Sequence, residues 1–156
     1  MICNGEGSSY NTVDAYNANL VRTTPTETTI GRIFNAAAST GKHALVGGGQ
    51  ATSGDGTIVD VYDKNLARKT PVALSVARSR ISGTGLGTNA IFAGGQPYAS
   101  NGGVVDVFNK RLIRSVLSLN TPRQAMSAGK IGKYALFAGG YGTSGYSTAV
   151  EALTIK

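Results

Sequence analysis

The residues best placed for chemistry are charged ones that recur at a fixed spacing. Asp14, Asp60, Asp106 and Glu151 follow one another at steps of 46, 46 and 45 residues. Arg22, Arg68 and Arg114 keep a step of 46, and Arg32, Arg78 and Arg123 keep steps of 46 and 45. Two chemistries fit such a set. One is structural: each arginine pairs with an acid or donates to backbone carbonyls between strands or between repeats. The other is functional: Arg32, Arg78 and Arg123 form a ring that holds an anion, since the planar guanidinium fork matches a carboxylate or phosphate. A residue present in every repeat serves the repeat first, so the structural reading leads.

Catalytic and metal chemistry find little support. The chain has one histidine and one cysteine, His43 and Cys3. They supply no Cys/His cluster for a structural zinc and no internal disulfide. No Ser/His/Asp set assembles around His43. Gly83-Thr84-Gly85-Leu86-Gly87 is glycine-rich, but it runs through a strand and a turn and lacks the strand-to-helix setting of a nucleotide loop. No enzyme activity, cofactor or metal is expected.

The elements that carry these residues repeat as well. Ala44-Leu45-Val46-Gly47-Gly48-Gly49 returns as Ala90-Ile91-Phe92-Ala93-Gly94-Gly95 and as Ala135-Leu136-Phe137-Ala138-Gly139-Gly140. Ten residues behind each comes Val59-Asp60-Val61-Tyr62, Val105-Asp106-Val107-Phe108 or Val150-Glu151-Ala152-Leu153, and Val13-Asp14-Ala15-Tyr16 is a fourth copy. Leu20, Leu66 and Leu112 stay in phase. In the second full period, Ile81–Gly85, Ala90–Ala93, Val104–Phe108 and Leu112–Val116 read as short strands separated by Gly/Asn turns. Glycine at 22 of 156 residues, with only 4 prolines, suits a turn-rich β protein rather than a flexible linker. Four short strands per period of about 45 residues is the pattern of a β-propeller blade.

The phased arginine, the small-residue strand, the apolar strand ending in Gly-Gly and the Val-Asp-Val-Tyr strand together resemble the kelch repeat over essentially the whole chain. The likeness extends to kelch-like repeats of bacterial and phage structural proteins. It implies an all-β fold built as a kelch-like β-propeller section. Kelch repeats usually carry a tryptophan in the fourth strand, and this chain has none; Leu20, Leu66 and Leu112 are the expected replacements. A kelch-type copper oxidase would need Tyr, His and Cys ligands that one His and one Cys do not supply. A sialidase-type Asp box would need the absent tryptophan.

Naming the strands of a blade A to D from the inside, 9–30 should supply C and D, 31–77 and 78–122 two full blades, and 123–156 strands A, B and C. About three blades fall short of the roughly 4–8 that close a ring. Bare edges pair with other chains, so the expected partner is the chain itself, in a homodimer of six blades with seven as the rival. Both ends then carry a C strand, and either 9–17 or 148–155 is surplus.

The net charge is +7, from 15 Lys and Arg against 8 Asp and Glu. Lys42, Lys64, Lys110, Arg111 and Lys133 fall in hairpin turns on one side of the blades. The other side carries the B–C and D–A loops. Gln50, Ser53, Asp55, Gln96, Tyr98, Asn101, Tyr141 and Tyr146 stand in the three B–C loops, a mixture of aromatic and small polar residues suited to recognition. The expected function is therefore a non-catalytic scaffold that binds a protein or glycan ligand through that loop face. The alternatives are a designed, reconstructed or fragmentary propeller half with no evolved ligand, and a basic-face binder of an acidic partner or nucleic acid. No apolar run approaches the ~18 residues of a membrane span. The first residues lack the basic and apolar regions of a signal peptide, so a cytoplasmic or virion-associated location is expected.

Overall fold

The computed structural model describes residues 2–3 and 10–155. Residue 9, where the first repeat is expected to open, lies outside the described residues. The chain is all-β, arranged in antiparallel sheets that do not close into a barrel. Three strands, β1 (Ile2–Cys3), β2 (Val13–Tyr16) and β3 (Arg22–Thr23), form an N-terminal sheet. The first four-stranded sheet holds β4 (Ala36–Ser39), β5 (Ala44–Gly47), β8 (Ile58–Tyr62) and β9 (Arg68–Ala73), with a two-stranded ribbon of β6 (Gln50–Ala51) and β7 (Gly54–Asp55) between β5 and β8. The second four-stranded sheet is β10 (Ser82–Leu86), β11 (Asn89–Ala93), β12 (Val104–Phe108) and β13 (Arg114–Ser118), and here the helix α1 (Tyr98–Asn101) stands in the ribbon's place. The C-terminal sheet has β14 (Ser127–Ile131), β15 (Tyr134–Ala138) and β18 (Val150–Leu153), with a ribbon of β16 (Tyr141–Gly142) and β17 (Gly145–Tyr146).

Two-sided burial explains the short apolar strands. Successive side chains of a strand point to opposite faces. Phe92 and Ala90 enter a core shared with Leu45, Val59 and Val61 of the preceding sheet, while Ile91 and Ala93 enter one shared with Ala135 and Phe137 of the following sheet. The first strands of the sheets lie side by side, β10 between β4 and β14. Glycine makes the approach close: a Cβ on Gly85 would lie 2.7 Å from the Ser39 carbonyl oxygen.

The turns repeat too. Asn17, Asp63 and Asn109 each accept from the backbone N–H groups two and four residues on, an Asx-type turn. Each turn ends at a leucine with positive φ: 59° at Leu20, 63° at Leu66 and 63° at Leu112. That left-handed residue delays the fourth strand of the second full period to Arg114, two residues past the expected Leu112 start. Leu112 packs against the core between the two four-stranded sheets, whereas Leu20, which no preceding sheet meets among the described residues, is 80% exposed. Pro71 lacks an N–H and sits in the edge strand β9, opposite a register shift at Val59/Val61.

Besides the two ribbons, which stand where loops were expected, two elements were not expected. β1 lies beside β2 with Ile2 opposite Asp14 and Cys3 opposite Val13, the register in which Phe92 and Ala93 face Asp106 and Val105. The N-terminal unit is thus three-stranded rather than a two-stranded pair. The other is α1. Both copies of the Val-Asp/Glu strand expected to compete, β2 and β18, hold places in sheets.

Candidate functional site

The phased charges form one buried arrangement, built three times. Arg32 Nη2 donates to Asp60 Oδ2 at 2.8 Å and to the Val46 carbonyl at 2.9 Å. Arg78 Nη2 donates to Asp106 Oδ2 at 2.6 Å and to the Phe92 carbonyl at 3.3 Å. Arg123 Nη2 donates to Glu151 Oε1 at 3.0 Å, and its Nη1 to the Gly139 and Ala149 carbonyls at 2.8 and 2.7 Å. Each guanidinium therefore ties the loop before a sheet to that sheet's second and third strands. The acid's remaining capacity goes to the same loop: Asp60 accepts from Thr29 N, Asp106 from Ser75 N, and Glu151 from Asn120 N and Thr121 N.

All three arginines are buried. Burial pushes the Arg78 guanidinium below the usual arginine range, with Asp106 acting against the shift. Arg32, Arg78 and Arg123 consequently spend their terminal nitrogens on protein acceptors, the Nε of Arg32 and of Arg78 being buried without a partner, and do not present an open ring of donors to an anion. The second arginine set crosses between sheets. Arg68 Nη1 donates to the Glu27 carbonyl at 2.8 Å and Arg114 Nη1 to the Ala73 carbonyl at 2.7 Å. Arg22 instead holds Asp14 at 2.7 Å in an exposed pair.

The loop-face residues divide into two groups. On the β6–β7 ribbon, Gln50 exchanges backbone bonds with Ile33, Ser53 is exposed at the turn, and the half-buried Asp55 has an Oδ1 without a hydrogen-bond partner. Gln96 exchanges backbone bonds with Ser79, and Asn101 Nδ2 donates to the Ala77 carbonyl at 3.3 Å, which pins α1 to the loop before β10. These five do not form one site.

Tyr98, Tyr141 and Tyr146 do converge. The rings of Tyr98 and Tyr141 meet edge to face with centroids 5.7 Å apart, and those of Tyr141 and Tyr146 at 5.6 Å. Tyr141 and Tyr146 are directly opposed on the β16–β17 ribbon, and Tyr98 reaches them from α1 of the neighbouring sheet. Tyr146 is 94% exposed. A cleft of about 330 Å³ opens beside it, lined by Thr121, Thr143, Ser144, Ser147, Thr148 and other backbone of the 142–149 loop. Sequence reasoning named the three tyrosines and missed the hydroxyl-lined cleft.

On the opposite side, Lys42, Lys64, Lys110, Arg111 and Lys133 are exposed in hairpin turns. Among the described residues no helix is long and apolar enough to cross a membrane.

No family model matches the chain, and no curated protein does. Among solved structures, the fold is similar to that of YjhT, with a TM-score of 0.73 at 15% sequence identity over 94% of this chain and 50% of that one. At that identity the likeness is one of fold alone, and this chain spans half the length of YjhT.

Proposed function

We propose that the chain is a non-catalytic binding scaffold, a kelch-like β-propeller section whose ring is closed by a second copy joined end to end. One observation carries this reading: the bonds that each sheet makes to the next stop at the C-terminal sheet. Gly49 N donates to the Arg78 carbonyl and Gly95 N to the Arg123 carbonyl. Arg80 N donates to the Phe34 carbonyl and Ala125 N to the Arg80 carbonyl. The next members of these series, Gly140 N and the Ala125 carbonyl, meet no following sheet among the described residues. In a second copy, the Arg32 carbonyl and Phe34 N are the matching groups.

Exposure follows the same break. β10, flanked on both sides, is buried or half-buried throughout, while β14 is exposed along its whole length. Ile131 and Val150 are 67% and 63% exposed. The match to half of YjhT supports two copies making up one full length. In a six-bladed ring the terminal sheets meet as one blade, so one of β1 and β15 and one of β2 and β18 must yield its place.

The ring leaves the B–C and D–A loops on one face as the ligand-binding surface. Light scattering on a sizing column over a dilution series tests the assembly. A mass near twice 16.0 kDa that survives dilution is expected. A stable mass of 16.0 kDa would remove the ring.

A further inference from the structure

We infer that Tyr98, Tyr141 and Tyr146, with the cleft beside them, form a binding site for an uncharged oligosaccharide. The inference rests on the loop-face reading above and names its ligand class.

Three observations select that class. First, the platform is aromatic, held and open. Cross-strand pairing fixes Tyr141 against Tyr146, and Tyr98 buttresses the far side. Edge-to-face packing leaves the Tyr146 ring almost wholly in solvent at 94% exposure. The apolar C–H face of a pyranose fits such a ring.

Second, the cleft wall is made of hydroxyls and backbone. Thr121, Thr143, Ser144 and Thr148 are exposed there, and a hydroxyl both donates and accepts, as each sugar hydroxyl does. A volume of about 330 Å³ sits at the small end of the ~300–1,000 Å³ range of small-molecule sites.

Third, the cleft offers no free charge. Arg123 is its one charged lining residue. That guanidinium is spent on Glu151 and on the Thr121, Gly139 and Ala149 carbonyls. An anionic ligand would find no counter-charge, and an anionic sugar would bind no better than a neutral one.

The test is calorimetric titration of the full chain with maltohexaose, cellohexaose and tri-N-acetylchitotriose. A heparin hexasaccharide and a proline decapeptide serve as the charged and peptide probes. At least one neutral sugar is expected to bind. Tyr146→Ala should weaken it by about tenfold, and Tyr146→Phe, which keeps the ring, by no more than about twofold. The 94% exposure of Tyr146 makes the alanine variant safe for folding. The inference is overturned by no binding of any neutral sugar at millimolar concentration, by undiminished binding in Tyr146→Ala, or by tighter binding of the heparin probe. Tyr146-dependent binding of the proline peptide alone would overturn the ligand class while leaving the loop face in use. A 16.0 kDa mass with Tyr146-dependent sugar binding would remove the ring and leave this site standing.

Discussion

At the residue scale, the same acid has different weight according to what surrounds it. Asp106 is fully buried between Arg78 and β12's neighbours, and removing its charge strands a buried guanidinium. Asp106→Asn is expected to cost about 3–5 kcal/mol, read from urea denaturation. Asp14 stands at the same repeat position but pairs with an Arg22 side chain that is 56% exposed. Solvent screens that pair, so Asp14→Asn should leave the urea midpoint nearly unchanged. Equal losses in the two variants would contradict this account. Asp63 gives a pH prediction. Its hydrogen bond with Lys69, backed by Asn65 N and Ala67 N, holds the carboxyl below the usual carboxylate range. A depressed folded value means that the contribution is present above the unfolded value of about 4 and is lost as pH falls through the folded one. Amide exchange at Asn65 and Ala67 should therefore accelerate in acid relative to Arg111 and Ile113, which lean on the non-titrating Asn109.

At the scale of elements, packing of first strand on first strand decides where glycine is required. Gly85→Ala would set a Cβ 2.7 Å from the Ser39 carbonyl oxygen and force β10 away from β4. Overpacking of that kind costs about 1–3 kcal/mol. Gly129 in β14 has nothing within 4 Å of the corresponding Cβ position. Gly129→Ala should be neutral or stabilise by about 0.4–1 kcal/mol through the unfolded chain. Thermal denaturation of the two variants side by side checks the contrast. Thr84 holds the matching place in the covered strand β10, so a second copy against β14 would also leave room for the methyl, and a destabilised Gly129→Ala would contradict this account.

At the scale of the whole molecule, both flanks of the internal sheets are buried and one flank of the C-terminal sheet is bare. Ile131 and Val150 lie on the bare one. The double variant Ile131→Lys, Val150→Lys adds charge where a second copy would sit and removes no internal contact of note. It should return the light-scattering mass to 16.0 kDa with little change in the urea midpoint at low protein concentration. A dimer that survives both lysines would mean that the copies meet elsewhere.

The repeat made strands and turns legible because each period spells out the same local chemistry: an apolar run buried on two sides, a Gly-Gly break, an Asx turn. It also showed that two arginine sets recur in phase with the acids, while the structure decided that Arg32, Arg78 and Arg123 are the set that meets Asp60, Asp106 and Glu151. Besides the two ribbons within the expected loops, two elements escaped. β1 is only two residues long, and its signal is Ile2-Cys3 standing before Val13-Asp14 in the order that Phe92-Ala93 stands before Val105-Asp106. α1 is a single turn after Pro97, too short for a periodic pattern. Tertiary structure decided the rest. Burial of the guanidiniums depends on sheets stacking on both sides, which no window of sequence contains. The meeting of Tyr98 with Tyr141 and Tyr146 depends on the rotation from one sheet to the next. So the chain's order determined which side chains face the loops, and the angle between sheets determined which of them touch.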